Sequence, residues 1–479
     1  MRWTLDQLPP TRWLVALAPL VAAFFYVPLA FGGTTPESVR VLDWLLLHGF
    51  LLWVCVLVLE RRLPRLPLAL WIPLLVLLVL GAFQWWNAKA VTDQTFGEIR
   101  PIEGALTFLP GTISANATRP ILVNLGALAL GGLVLQDALA GTRVRWLLFR
   151  VIALAGFVIA LIGIYQKASH AEAMLWSEVR PFEGTKFFAA YRYHGNAASF
   201  LNLSWPAALA VYLRSRLLRP GSIVASLDFC VFFLLAAAVF VNSSKAGQIL
   251  GLVGVVLAAW RFRAEFLTNA GTNRVGMLVL ALFLIVLGGV FVMPGLLNVI
   301  ANWNAFAENP GSLTGRLLAY GASMGAIADH GLWGTGAGTF RFIFPYYTLE
   351  LEDRIVGYWH YAHSDWIQTI IEWGWFGFLA WATVIGGAFV RLWKRCRDAS
   401  RKERTELSCS VALLALFLVL LHAVADFPLQ IPSLQWLFVF YLALGWSRPH
   451  VHHGHGHHEH HEHDHHDPGD HHDPRGLHA

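Results

Sequence analysis

Charge is what this chain has least of. Only 14% of its 479 residues are Asp, Glu, Lys or Arg, against about a quarter in an ordinary soluble domain. So sparse a supply of polar side chains excludes a water-soluble globule of this length. Cysteine is scarce as well: Cys55, Cys230, Cys396 and Cys409 are the four. They lie in apolar runs or beside a basic connection, which excludes a disulfide-built scaffold. The first apolar run, 13–31, lacks a small-residue cleavage pattern, so a removable leader is not expected. The centres of the apolar runs are nearly free of charge, and no internal repeat is visible. Both absences argue against a transporter or flippase, whose midplane sites use paired charges and broken helices in repeated halves.

What the chain has in excess is apolar surface: 56% of the residues are hydrophobic and 21 are Trp. The apolar runs are about 20 residues each, enough to cross roughly 30 Å of hydrocarbon. The expected fold is an all-α polytopic membrane protein with about twelve transmembrane helices. The spans lie near 12–31, 41–59, 66–86, 119–138, 146–166, 196–213, 222–242, 245–260, 275–293, 364–390, 407–424 and 429–446. A large outer loop, 294–363, separates spans nine and ten. Basic residues cluster at every second connection, as in Arg61-Arg62-Arg65, Arg143-Arg145, Arg214-Arg216-Arg219, Arg261-Arg263-Arg274 and 391–404. That alternation places both termini in the cytoplasm. The net charge of +5 therefore reports topology and the company of membrane lipids, and no nucleic-acid partner is expected.

The chain divides into N-terminal helices 1–240, a core 241–446 that carries the outer loop, and a tail 447–479. The tail holds 14 of the 21 histidines and nothing to bury. It is expected to be disordered, to bind zinc, nickel or copper loosely through groups such as His457, His458, His460 and His461, and to lie across the membrane from any outer site. No metal is expected in the site itself, and no cofactor.

Polar chemistry concentrates in 311–374, where Arg316, Arg341, Arg354, His360 and His363 share one loop. Thr314 is expected to cap a helix that runs to Gly331, with Arg316 in its first turn. Free backbone N–H groups and a guanidinium would converge there on a phosphate, although an interfacial arginine also anchors to lipid headgroups. Gly334-Thr335-Gly336-Ala337-Gly338 follows no strand and reads as a tight turn, not a nucleotide loop. Asp365 with Gln368 fits a capping box at the start of the tenth span. His363, just before it, is either a solvated loop histidine or a general base. Glu372 must face the bundle interior. Lys245 sits in a tight turn between two spans, where lysines often snorkel. Lys186, Arg192 and His194 lie in a stretch where basic and aromatic residues alternate, suited to phosphate plus sugar or to an interfacial aromatic belt. His422 and Asp426 form an intramembrane polar pair.

The order S-L-T-G-R at 312–316, G-x-W-G-T-G-x-G-T-F at 331–340, A-H-S-D-W-I-Q at 362–368 and H-x-x-x-D-F-P at 422–428 resembles the O-antigen ligase and polymerase superfamily of bacterial envelope glycosyltransferases. The motifs cover 240–430; the first half is similar mainly in topology. The resemblance implies a metal-independent transferase in the bacterial inner membrane, with its active face periplasmic. It would move a glycan from undecaprenyl pyrophosphate to a hydroxyl of lipid A-core or another glycan acceptor. It implies His363 as the base and Arg316 as the pyrophosphate contact, with Lys245 where the family usually has Arg. Lys186, Arg192, His194, Arg341 and Asp365 are further candidates for substrate contacts. Repeat-unit polymerisation, transfer to protein, and movement of a lipid-linked glycan are the alternatives to ligation. A transferase in a compartment without nucleotide sugars must receive its energy in the donor, and a lipid pyrophosphate supplies it.

Overall fold

The computed structural model describes residues 9–64, 66–92, 98–177, 186–267, 300–301, 303–304, 311–351, 355, 357–398 and 403–447. The described chain is almost wholly helical. Eight helices in its first part are α1 (Thr11–Leu29), α2 (Pro36–Leu59), α3 (Leu68–Trp86), α4 (Ala115–Ala138), α5 (Thr142–Ala168), α6 (His194–Leu218), α7 (Ile223–Val241) and α8 (Lys245–Arg261). Five follow later: α9 (Gly311–His330), α10 (Phe340–Thr348), α11 (Asp365–Arg397), α12 (Glu403–Ala425) and α13 (Pro432–Trp446). A two-stranded hairpin, β1 (Ala90–Thr92) against β2 (Ile99–Pro101), is a small addition to the all-α expectation.

Eight of the helices are long and apolar enough to cross a membrane: α1 to α5, α7, α11 and the part of α12 from Leu407. Their outward faces fit that reading, since Ile72, Leu75, Val79 and, on α8, Leu252 and Val256 are exposed. A row of exposed aliphatic side chains has its natural solvent in lipid. The expected number of about twelve, with the loop between spans nine and ten, is not established: α6, α8 and α13 do not belong to the eight, and 275–293 lies outside the described residues. So do Arg354, residues 180–185 and the whole histidine-rich tail, including His457, His458, His460 and His461.

α6 shows why composition alone undervalues a central helix. It carries Asn196, Ser199, Asn202 and Ser204, all buried. Their polar atoms find internal partners, as where Asn202 Nδ2 donates to the Gly247 carbonyl at 3.0 Å and Ser204 Oγ to the Phe200 carbonyl at 2.7 Å. A polar residue inside a bundle is tolerated only on such terms. Around α6 one apolar core joins residues from both halves of the chain, including Phe24, Phe149, Trp205, Trp436 and Phe440.

Two expectations about helix starts are corrected. α9 already includes Gly311, so Thr314 lies within it and is not its cap. α11 is capped at Ser364, without a side-chain bond. Gln368 Oε1 instead accepts from the Ala362 amide at 3.1 Å, so the Asp365–Gln368 capping box does not form. α11 also breaks at Gly374, whose φ of 66° and ψ of 179° are open mainly to glycine. There the chain is stitched to the turn 331–338. Trp375 N donates to the Gly331 carbonyl at 2.7 Å, Thr335 N to Ile371 at 2.9 Å and Gly336 N to Glu372 at 3.0 Å. The tight turn expected at 334–338 is present, with positive φ at Gly334, Gly336 and Gly338. Glu372 does face inward, where Oε1 accepts from the Phe340 amide at 3.2 Å and from Gln368 Nε2 at 3.0 Å.

Candidate active site

The polar residues of the site gather on Asp426, in the turn that follows α12. Pro428 has no amide proton to continue a helix, and the turn leaves a carboxylate that is only 3% exposed. Asp426 Oδ1 accepts from His363 Nδ1 at 3.2 Å and from the Phe427 amide at 3.1 Å. Oδ2 accepts from Tyr193 Oη at 2.9 Å, and His422 Nε2 stands 3.8 Å away. His422, one helical turn earlier, meets Ser199 Oγ through Nδ1 at 2.6 Å. Burial opposes charge on Asp426, but the hydrogen bond from His363 and the charges of His422 and Arg316 hold its pKa below the usual carboxylate value. Gly195 permits the crowding: a Cβ there would stand 2.4 Å from the Tyr193 ring and 2.8 Å from Asp426 Oδ2.

His363 has a φ of 52°, a left-handed conformation that costs a non-glycine residue of order 1 kcal/mol and persists where surroundings enforce it. The enforcement is visible. Tyr320 Oη, on α9, donates to the His363 carbonyl at 2.6 Å, and Asp365 N donates to the Asp426 carbonyl at 3.2 Å. Trp359 and Phe427 flank the ring edge-on at 5.2 and 4.9 Å. With Nδ1–H donating to a carboxylate, the imidazole keeps its lone pair on Nε2, the tautomer a general base needs. Its side chain is 26% exposed, so the ring is held yet reachable.

Arg316 joins the same chain of bonds from α9. Nη2 donates to Tyr193 Oη at 3.2 Å and Nη1 to the Ala425 carbonyl at 2.9 Å. Burial and the neighbouring Asp426 push the Tyr193 phenol above its ordinary pKa, so it stays a donor. The guanidinium lies inside a helix that begins at or before Gly311, so its position owes nothing to a helix start. A cationic neighbourhood surrounds it: the charges of Lys245, Lys186 and Arg316 act on one another unfavourably, and Lys167 repels Lys186. Lys245 is also the first residue of α8, at the positive end of the helix dipole, where a cation is disfavoured.

The other candidates divide. His194 lies beside Tyr193, and its Nδ1 and backbone N–H both meet the Lys186 carbonyl, at 3.1 and 3.0 Å. It pins the segment that carries Lys186. Asp365 is buried, accepting from the Leu429 amide at 2.8 Å and Gln430 Nε2 at 3.0 Å, and so fixes the turn that presents Asp426. Arg341 lies over the Phe342 ring at 4.8 Å, near His360 and Tyr361 and apart from the Asp426 chain. Arg192 is exposed and sits 5.6 Å over the Phe31 ring. The residues that the motifs undervalued are Asp426, Tyr193, Tyr320 and Lys167. Asp426 had a signal in the spacing of His422 and Asp426, one turn apart beside a proline. Tyr193 and Tyr320 had none, because each acts on residues distant in the chain.

A comparison with curated proteins matches none of them. Residues 230–382, about a third of the chain, match the family model described as O-antigen ligase. That segment holds Lys245, Arg316, Arg341, His363 and Asp365, and the turn at Asp426 lies beyond it. The chain is thus a polytopic helical bundle with a segment similar to the O-antigen ligase family.

Proposed function

We propose that the chain is a membrane glycosyltransferase that moves a glycan from undecaprenyl pyrophosphate to an acceptor hydroxyl. Ligation to lipid A-core is preferred over polymerisation or transfer to protein. The carrying observation is one continuous chain of hydrogen bonds, Arg316 to Tyr193 to Asp426 to His363. It ties a cation suited to the leaving group to a base suited to the acceptor. His363 Nε2 takes the acceptor hydroxyl proton as the oxygen attacks the anomeric carbon. The bond from that carbon to phosphate breaks, and the lipid pyrophosphate leaves with the electron pair. Asp426 stabilises the imidazolium that forms, as carboxylates do in base–orienter pairs. Arg316, helped by Lys245 and Lys186, meets the negative charge that grows on the pyrophosphate; one such donor supplies about 3 kcal/mol of barrier. Asp365 and His194 act by positioning. The reaction needs no metal ion.

Helix direction supports a periplasmic face for the site. Lys245, His194 and Asp365 begin their helices and Asp426 follows the end of another, while Arg216, Arg261, Arg395 and Arg397 lie at the far ends of helices that begin at the site. Positive charge marks the cytoplasmic side, which supports a site facing the periplasm in an inner membrane crossed by about twelve spans. Cysteines introduced at the exposed Arg192 and Arg219 should react unequally with an impermeant thiol reagent in intact cells; equal reaction refutes the topology. The chemical test uses purified protein, undecaprenyl-pyrophosphate-linked glycan, acceptor and chelator. His363→Ala should lower transfer by roughly 10²–10⁴-fold with donor binding little changed. Transfer at the unmutated rate by a folded His363→Ala protein removes histidine from the mechanism. Donor-dependent movement of lipid between leaflets without transfer would establish a flippase instead.

A further inference from the structure

At the end of the bundle opposite His363, a cavity of about 250 Å³ opens between α5, α6 and α7. Four arginines line it: Arg143 and Arg150 from the first part of α5, Arg214 from the end of α6, and Arg219, which terminates α6. Arg143 is the second residue of α5, whose cap, Gly141, makes no side-chain bond to the first turn. The positive end of α5 therefore lies beside Arg143, while Arg214 and Arg219 stand at the negative end of α6. α7 starts beside the same cavity, since its second residue, Val224, is part of the lining. Asp228 lies 3.8 Å from Arg150 and also receives the Ser215 hydroxyl. The Arg214 guanidinium is fixed 4.5 Å over the Trp146 ring. A wall of arginines and two helix starts, with an indole as one side, fits a phosphate group.

We propose that this cavity binds a phosphate ester, supplied by the headgroup of an anionic phospholipid. Phosphate oxygens can accept from several guanidinium forks at once, which a halide or a single carboxylate cannot do. The lipid source is favoured by the apolar part of the lining. Trp146 forms one wall, and Leu218 is 43% exposed beside the arginines, where an acyl chain leaving the headgroup would run. Basic pockets at the ends of spans are a recurrent site for such headgroups. The inference does not depend on the glycan chemistry at the other end of the molecule.

The test uses the full-length protein in neutral detergent and native mass spectrometry, with phosphatidylglycerol, phosphatidylcholine and soluble glycerol phosphate as separate probes. Phosphatidylglycerol should be retained at least roughly tenfold more tightly than phosphatidylcholine, as several charge-assisted bonds to one headgroup imply. Arg143→Gln with Arg219→Gln, both exposed at the mouth, should abolish that preference. Arg61→Gln, an exposed arginine outside the cavity, should leave it intact. Arg214→Lys should also weaken retention, because an ammonium keeps the charge and loses the fork. Displacement of the lipid by equimolar glycerol phosphate supports the phosphate site and assigns it to a soluble ester. Equal retention of the two lipids, or an equal loss in Arg61→Gln and the double variant, overturns the proposal.

Discussion

Replacing Asp426 by Asn is the sharpest perturbation of the site, because it changes one oxygen and one charge at nearly constant volume. The carboxylate offers two acceptor oxygens to three donors: His363 and the Phe427 amide on one side, Tyr193 on the other. An amide has one acceptor oxygen and must turn its NH2 toward one of those sides, so at least one donor loses its partner. The larger effect is charge. When His363 takes the acceptor proton, an imidazolium forms 3.2 Å from Oδ1. Two unit charges at that separation attract by roughly 5 kcal/mol at an effective dielectric of 20. Part of this returns as an ordinary hydrogen bond in the variant, and His363 is partly solvated. A loss of about 3–5 kcal/mol, or roughly 10²–10⁴-fold in turnover, is expected. Donor affinity should move by less than about threefold, since Arg316 keeps its bond to the Ala425 carbonyl. The assay is transfer from lipid-linked glycan by detergent-purified protein, with donor binding measured separately. Asp426→Asn protein that elutes as a folded species and turns over within about threefold of the unmutated enzyme would refute the dyad.

Arg316→Ala should weaken donor binding and turnover together, by about 10²-fold in rate, and Arg316→Lys should recover little of it; Lys245→Arg should keep most activity, and its complete loss would show that shape matters there as well as charge. Gly195→Ala should inactivate a protein that still folds, because its Cβ would displace the Tyr193 ring and Asp426; steady-state transfer beside a melting curve separates the two effects. Asp426 is held below its ordinary pKa of 3.8, so the unfolded chain takes up a proton first as pH falls. Its contribution to stability is full above that value and is lost below it, and melting temperature should fall more steeply from about pH 5 to 3 in the unmutated protein than in Asp426→Asn. Deleting 450–479 should leave transfer within about twofold, under roughly 0.5 kcal/mol; an inactive but stable truncation would give the tail a role at the site.

The membrane character is legible because an uncharged apolar run of span length suits hydrocarbon far better than water. Helices occupy eleven of the twelve positions expected from those runs, the twelfth lying outside the described residues. His363 and Arg316 are legible as motif residues, but the local pattern around Arg316 points to the wrong support. Ser312 and Thr314 suggest a helix start, and the helix runs past them. What holds Arg316 is Tyr193, 123 positions away, and no local pattern encodes a contact of that range. Asp365 misleads in the same way. Its neighbours suit a cap, but its carboxylate is recruited by the turn at Leu429 and Gln430. Arg192 reads as a substrate contact because basic and aromatic residues alternate around it, and its guanidinium lies over the Phe31 ring.

The stitch between the turn at 331–338 and the break at Gly374 has a consequence for how acceptor choice can vary. Its three bonds run from main chain to main chain, and side chains reinforce it, with Gln84 Nε2 donating to the Trp333 and Glu372 carbonyls and Thr335 Oγ1 to the Ile371 carbonyl. It brings residues 336 and 372 side by side, and the segment between them leaves and returns at one point. For a loop whose ends already touch, extra length costs little, about 0.6 kcal/mol per doubling. Length can therefore change at exposed positions such as Tyr346 and Leu349, while Ile343 and Phe344, buried against Ala319 and Ala326 of α9, and His363, anchored separately through Tyr320 and Asp426, keep their places. A transferase built this way can change the size of the glycan it accepts without redesigning either its membrane helices or its base.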